Sequence, residues 1–347
     1  MARAPSKMRA AVLVRPGEMR IESRAIPKPG VGEVLVQIKA VGVCGSDVHY
    51  YRRGRIGTFV VTKPIVLGHE AAGKVASVGR GVRKLKTGLP VSIEPGWPCG
   101  RCDYCKTGKY NQCAHIRFLA TPPDDGAFCD YLAVPEDFAH PMPEGMSFAE
   151  GAMIEPLAVG VHACRIGEMR PGDTVLVSGC GPIGLCCMMA AFGMGAARVF
   201  LSEPDAFRRD VAIQMGATAA FDPTRREGVA CLRDVMGHDA QVVLEASGSE
   251  GAIQQSIETI GPGGRIVLVG FPHQDMVPVN LTHLMSHEAE IRSVWRYAND
   301  FPLAIHLAAS GKAPVAKLIT HRYPLEKIGE AMEKMGEPRS LKALIEL

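Results

Sequence analysis

The 347-residue sequence predicts an α/β protein of two parts, a mostly-β N-terminal region and a doubly wound parallel sheet with crossover helices. Three observations carry this. Up to about Val134, short β-type runs alternate with Gly and Pro; from about Gly172, strand-like and helix-like runs alternate instead; and a glycine-rich turn joins the first strand of that second part to its first helix. The length suits two domains at about 150 residues each, enough for a sizeable core.

The β-type runs of the first region are Met8–Val14, Glu33–Lys39, Ala71–Val78 and Val91–Ile93, separated by long loops. Those of the second are Thr174–Ser178, Arg198–Ser202, Ala220–Phe221, Gln241–Glu245, Arg265–Val269 and Ile291–Val294, and six strands complete a doubly wound sheet. After Tyr297 come a helical Pro302–Ser310, a strand near Lys317–His321, a helical Leu325–Met335 and a last strand Lys342–Glu346. About fifty residues are marginal for a separate core, so this tail is expected to pack on the N-terminal region. The domains would then be residues 1–157 completed by 297–347, around a central 158–296. The uncharged stretch Thr174–Ala197 is long enough to span a bilayer, but Gly179, Gly181, Pro182 and Gly184 divide it into strand, turn and helix.

With 47% hydrophobic and 22% charged residues, the chain is neither disordered, collagenous nor coiled coil. Lys plus Arg number 39 against 36 Asp plus Glu, a net +3 that lacks the basic excess of a nucleic-acid binder. Eleven cysteines, an odd number, without a signal-type opening segment point to a reducing cytoplasm, and Met1–Arg9 reads as a fraying basic tail rather than a targeting segment. No membrane or nucleic-acid partner is expected.

Gly179-Cys180-Gly181-Pro182-Ile183-Gly184 is a Gly-x-Gly-x-x-Gly turn after a strand and before a helix. Its glycines permit a tight turn and close approach of a pyrophosphate to the backbone, with the helix start facing the phosphates. Alone, such a turn is shared with ordinary glycine loops; its setting strengthens it. Glu203 ends the next strand, where an acidic side chain accepts hydrogen bonds from ribose hydroxyls and repels a 2′-phosphate, favouring NAD over NADP. Arg208 is placed to stack on adenine or to lie solvated on its helix.

Cys99, Cys102, Cys105 and Cys113 crowd four thiols into one loop, the donor set of a closed structural zinc site. Cys129, Cys164, Cys180, Cys186, Cys187 and Cys231 sit in apolar or turn contexts and read as buried small hydrophobes, and Met188-Met189 as helix packing. A looser pattern joins Cys44-Gly45-Ser46-Asp47-Val48-His49, Gly68-His69-Glu70 and Glu155-Pro156. A thiolate, an imidazole and one or two carboxylates make a three-ligand zinc site with an open position, although spacing alone only suggests it.

Together with Arg296-Tyr297, Tyr50 to Gly57, Ala120 to Gly126, Ile154 to Leu157 and Val294 to Asn299, these motifs resemble the zinc-dependent medium-chain alcohol dehydrogenases. More narrowly they resemble the polyol branch, the sorbitol (L-iditol) and xylitol dehydrogenases, over essentially the whole chain. The resemblance implies a GroES-like catalytic domain split around a Rossmann NAD-binding domain, with the active site in the cleft between them, two zinc ions per chain and a homotetramer. It implies Cys44, His69 and Glu70 as ligands of a catalytic zinc, with Glu155 holding the zinc-bound water or substrate or ligating directly. Tyr50, Glu155, Arg296 and Tyr297 would read substrate hydroxyls, with Phe59 and Phe118 as pocket walls or plain core. Val269, Gly270, Phe271, Val294 and Arg296 would join Gly179, Gly181, Pro182, Ile183, Gly184, Glu203 and Arg208 around the cofactor. Two departures stand out: Gly88-Leu89-Pro90-Val91 replaces the usual Gly-Asp-x-Val, and Glu203 replaces the usual aspartate.

The expected reaction is oxidation of a polyol's C2 hydroxyl, as in sorbitol to fructose or xylitol to xylulose, with hydride passing to NAD. Ser46 would start the release of the proton, and His49 either continues it or is an ordinary structural histidine. The competing readings are a zinc dehydrogenase for threonine or a vicinal diol such as 2,3-butanediol, and a dinucleotide-binding protein without catalysis.

Overall fold

The computed structural model describes residues 6–225, 234, 236–272, 274–337 and 339–347. Cys231 and the first five residues of the basic tail lie outside these. The chain forms two compact units, Met1–Glu155 with Leu318–Leu347, and Pro156–Lys317.

The first unit is built on a seven-stranded sheet in the order Ala139–Pro141, Pro90–Ile93, Glu70–Val78, Glu33–Gly42, Lys342–Glu346, Ile319–Pro324, with Tyr131–Pro135 also paired to Glu33–Gly42. Glu33–Gly42 is buried along most of its length, as suits a strand with neighbours on both sides and packing on both faces. A three-stranded sheet of Glu18–Ala25, Lys7–Arg15 and Ile65–Val66 stands beside it, and Leu13, Ile38, Leu67, Ile93 and Phe128 form the centre of this core. The returning strand Lys342–Glu346 lies antiparallel to Glu33–Gly42, with Leu344 opposite Gly42, so the chain re-enters this sheet after leaving the second unit.

The second unit is an all-parallel six-stranded sheet in the order Ala219–Phe221, Arg198–Ser202, Thr174–Ser178, Ala240–Glu245, Ile260–Leu268, Glu290–Ser293. Strand order reverses beside the first strand, the arrangement of a complete doubly wound dinucleotide fold. Thr174–Ser178 is buried throughout, which explains its continuous apolar run. The helix Pro182–Gly193 is uncharged for the same reason: Gly184 through Ala191 are all buried, Met188 and Met189 among them. No helix among the described residues is long and apolar enough to cross a membrane.

One boundary differs from the sequence expectation: the chain returns to the first unit at Leu318 rather than at 297. The helix Phe301–Ala309 stays with the second unit because Leu307 packs onto Gly193, where an added Cβ would come within 2.8 Å of it. The segment before it is pinned by buried Asp300, whose Oδ2 accepts hydrogen bonds from the Ala298 N–H at 3.1 Å and Arg165 at 3.1 Å and lies 2.8 Å from His162 Nδ1. Sequence pattern sees the helix but not the partners that hold it. The fifth strand also begins earlier than expected, at Ile260, which pairs with Ala240 before an irregular Gly-rich stretch.

Candidate active site

Two thiol-bearing sites form within the first unit. In the loop after Pro90–Ile93, the Sγ atoms of Cys99, Cys102, Cys105 and Cys113 all lie within 4.8 Å of one another. Cys102 and Cys105 are 3.4 Å apart and Cys99 and Cys105 3.9 Å, which bracket the ~3.8 Å edge of a tetrahedron with Zn–S near 2.3 Å. The Cys99 N–H points at Cys113 Sγ across 3.4 Å, joining the two ends of the loop. The backbone N–H groups of Arg101 and Cys102 pull the Cys99 thiol down to about 6, while burial and the surrounding sulfurs push Cys105 up to about 12. Four thiols in contact share negative charge poorly, and a dication resolves that conflict; the donor set fits zinc. Buried Glu94 anchors the loop's base, accepting from Tyr110 Oη at 2.6 Å and lying 2.8 Å from His140 Nε2. Apart from Cys44, the other described cysteines are buried, and desolvation holds Cys129 and Cys164 at about 12, so these behave as apolar filler.

The second site draws its donors from two chain segments. Cys44 caps the helix Gly45–Arg53, His69 follows Gly68, and Glu70 opens the strand Glu70–Val78; their ligand atoms lie within 4.8 Å of one another. Asp47 sets this geometry, because one of its oxygens accepts the Cys44 N–H and the other the Gly68 N–H, each at 2.9 Å. Its Oδ1 also lies 3.8 Å from His69 Nδ1. Gly68 is obligatory: at φ +88° an added Cβ would strike the Phe128 ring at 2.9 Å. Burial alone would lower the His69 pKa, yet the charges of Cys44, Asp47 and Glu155 raise it well above the usual range. Negative charge is thus concentrated in a dry place.

Glu70 Oε1 pairs with the buried Lys342 Nζ at 2.6 Å, whereas Glu70 Oε2 is buried without a hydrogen-bond partner. An orphaned carboxylate oxygen beside a thiol and an imidazole fits a metal ion with Cys, His and carboxylate donors. Glu155, second residue of the helix Ile154–Ile166, is buried and acts on His69 through its charge but is not among the three converging donors. Ser46 is half-buried and His49 exposed on the helix after Cys44, with Tyr50 buried beside them. The Phe118 ring lies 5.7 Å from that of His69, and Phe59 packs partly buried on the unit's core.

In the second unit, Gly179 takes φ +95° and donates its N–H to Ser202 O, while a Cβ on Gly184 would fall 1.9 Å from Gly179 O. Both glycines are therefore required by the turn. Gly181 caps the helix Pro182–Gly193, with Pro182 in its first turn and Ile183 half-buried behind it. A cavity of about 640 Å³ opens here, at the carboxyl ends of the strands where their order reverses, lined by Gly179, Gly181, Glu203, Arg208 and Ser247. Glu203 is held by two backbone donors, the Cys180 N–H at 2.8 Å and the Asp205 N–H at 3.0 Å, which leaves lone pairs on both oxygens for hydroxyls. Val269 and Gly270 donate to Glu245 O, and Phe271 is exposed after them. Val294 donates to Leu268 O; Arg296 follows at φ +57° with its guanidinium 5.2 Å from the Trp295 ring centre, and Tyr297 is buried against Phe301.

Replacing Glu203 by Ala is expected to move the NADP:NAD affinity ratio toward NADP by about tenfold or more, because a carboxylate facing a 2′-phosphate costs several kcal/mol. Nucleotide titration of both proteins checks this, and an unchanged preference would remove Glu203 from cofactor selection.

Sequence reasoning missed Asp47 and Lys342. The first carried a local signal, an acidic residue at the third position of a helix that begins after Cys44. The second had none, since its partner lies 272 residues away.

Residues 30–144 match the family described as alcohol dehydrogenase GroES-like domain, and residues 182–310 that described as zinc-binding dehydrogenase. The chain is 43% identical to a sorbitol dehydrogenase of Bos taurus over 99% of its length and 98% of the bovine protein. It is 39% identical to a sorbitol dehydrogenase of Bacillus subtilis, over 95% of this chain and 94% of that one. A crystal structure of an Escherichia coli oxidoreductase/dehydrogenase of unknown specificity superposes with a TM-score of 0.93 at 36% identity, covering 98% of this chain and 99% of the other.

Proposed function

The chain belongs to the zinc-dependent medium-chain dehydrogenases, in the branch of the sorbitol dehydrogenases, and on that premise we propose that it oxidises the C2 secondary alcohol of a polyol and transfers hydride to NAD. The observation that carries the proposal is the converging thiol, imidazole and carboxylate of Cys44, His69 and Glu70, with Glu70 Oε2 buried and unpartnered. Those three residues would hold a catalytic zinc, and Cys99, Cys102, Cys105 and Cys113 a structural one. When bound, the catalytic zinc supplies a Lewis acid that polarises the alcohol oxygen, and NAD supplies the hydride acceptor.

The protein's own work is positioning and proton handling. Asp47 fixes the backbones of Cys44 and Gly68 so that the donors arrive preorganised. Glu155 accepts a hydrogen bond from a substrate hydroxyl, and Ser46 and the exposed His49 would carry the leaving proton away. From the family resemblance we assign the reading of the remaining hydroxyls to Tyr50, Arg296 and Tyr297, and the exclusion of water to Phe59 and Phe118. Buried polar anchors of this kind reject alcohols that lack the hydroxyls they require, so ethanol is expected to be a poor substrate. The glycine turn and Glu203 bind NAD. A reducing cytoplasm and a homotetramer are the compartment and assembly we assign from the cysteine usage and the family.

The test is absorbance at the reduced-nicotinamide band with NAD or NADP and a panel of sorbitol, xylitol, arabinitols, galactitol, threonine and butanediol, before and after chelation. NAD reduction by a polyol, abolished by chelator, is the expected result. Reduction by threonine or butanediol alone, or silence with every polyol, would overturn the substrate assignment.

A further inference from the structure

Glu70 and Lys342 open two different strands, and both strands flank Glu33–Gly42. Gly42 stands between them, opposite Glu70 on one side and Leu344 on the other. A Cβ at Gly42 would come within 2.1 Å of Glu70 Oε2 and 2.6 Å of the Met153 methyl, so the missing side chain is the space the Glu70 carboxylate occupies. The carboxylate reaches across the central strand and meets Lys342 Nζ at 2.6 Å, with the two side chains 0% and 3% exposed.

Burying an ammonium is costly, and an ion pair in such a place stabilises a fold no better than apolar residues of the same size. Folding therefore does not explain Lys342. Its effect on the carboxylate does: one oxygen is engaged by the ammonium, the other lies buried over Gly42 without a partner, and the carboxylate offers an oxygen within 4.8 Å of the Cys44 and His69 ligand atoms. We propose that Lys342 is a positioning residue of the metal centre, holding Glu70 Oε1 so that Glu70 offers zinc a single oxygen, and that Gly42 is the gap through which the two meet. This rests on the reading of Cys44, His69 and Glu70 as zinc ligands. A carboxylate free at both oxygens can turn or bind through both, and either would disturb a three-donor set with an open position; outer partners that fix ligand orientation affect metal affinity by about 10–100-fold.

The experiment compares zinc retention by full-length wild type, K342M and K342R across a chelator series, with melting temperature measured on the same samples. The four-cysteine site serves as internal standard. K342M is expected to release one of two zinc ions at about tenfold lower chelator and keep the other, with a lowered melting temperature because Glu70 loses its buried counter-charge, while K342R retains both ions. Equal retention by K342M and wild type would overturn the proposal and leave the zinc reading intact. So would equal losses from K342R and K342M, which would indicate packing rather than the ion pair. Loss of both ions from K342M would likewise assign Lys342 to folding. Wild type that binds a single zinc would remove the catalytic metal itself, and this proposal with it.

Discussion

Replacing His69 by Ala is expected to leave a folded protein with one zinc per chain that binds NAD normally and oxidises polyols at least about 10³-fold more slowly. The magnitude follows from the chemistry assigned to the centre: Lewis-acid polarisation of the alcohol oxygen contributes several kcal/mol to the transition state, and each 1.36 kcal/mol is about tenfold in rate. His69 is one of the three converging donors, so its loss leaves Cys44 and Glu70 as an incomplete set among the buried charges of Asp47 and Glu155. NAD binding is unaffected because the glycine turn, Glu203 and their cavity are built entirely from the second unit. Zinc analysis, turnover and nucleotide titration on one preparation read all three quantities. A variant that retains more than a tenth of wild-type turnover would take His69 out of the metal centre, and parallel losses of turnover and NAD affinity would point to a folding defect.

The parts of this molecule legible in its sequence are those whose cause is local. Four cysteines within one loop announce a metal because such a donor set has few other uses in a reducing compartment. The glycine turn was legible for a similar reason: Gly179 answers to its own positive φ and Gly184 to the Gly179 carbonyl, demands made within six residues. The inner strands of the second unit, Thr174–Ser178, Arg198–Ser202 and Ala240–Glu245, were legible because strands covered on both faces read as continuous apolar runs. What depends on distant partners was not. Lys342 looks like any lysine until the sheet brings it beside Glu70, and Gly42 like any glycine until the strand at its side carries a carboxylate. The unit boundary fell at Leu318 instead of 297 for the same reason, since Asp300 is tied to His162 and Arg165, well over a hundred residues earlier. Glu203 was placed correctly at a strand end, but its clasp by the Cys180 and Asp205 N–H groups exists only once the turn has folded.

Replacing Cys113 by Ser is expected to remove the other zinc, with the opposite division of consequences. Cys113 is buried, and its sulfur receives the Cys99 N–H, so it closes the loop at the end remote from Cys99, Cys102 and Cys105. Isolated zinc-finger peptides gain roughly 10–16 kcal/mol from their metal because nothing else folds them. Here the loop base is also held by Glu94 through Tyr110 and His140, and the rest of the unit has its own core, so a loss of only about 3 kcal/mol is expected, a fall in melting temperature of about 10 °C for a unit of this size. Cys44, His69 and Glu70 draw on none of the loop's donors, so turnover well below the melting transition stays within a few-fold of wild type while zinc falls from two to one. Calorimetry, zinc analysis and low-temperature turnover check the three parts. Unchanged melting would mean that the four thiols bind metal without the fold depending on it. Abolished turnover at low temperature would mean that the loop shapes the substrate site directly, through Phe118 five residues beyond Cys113, whose ring rests against His69.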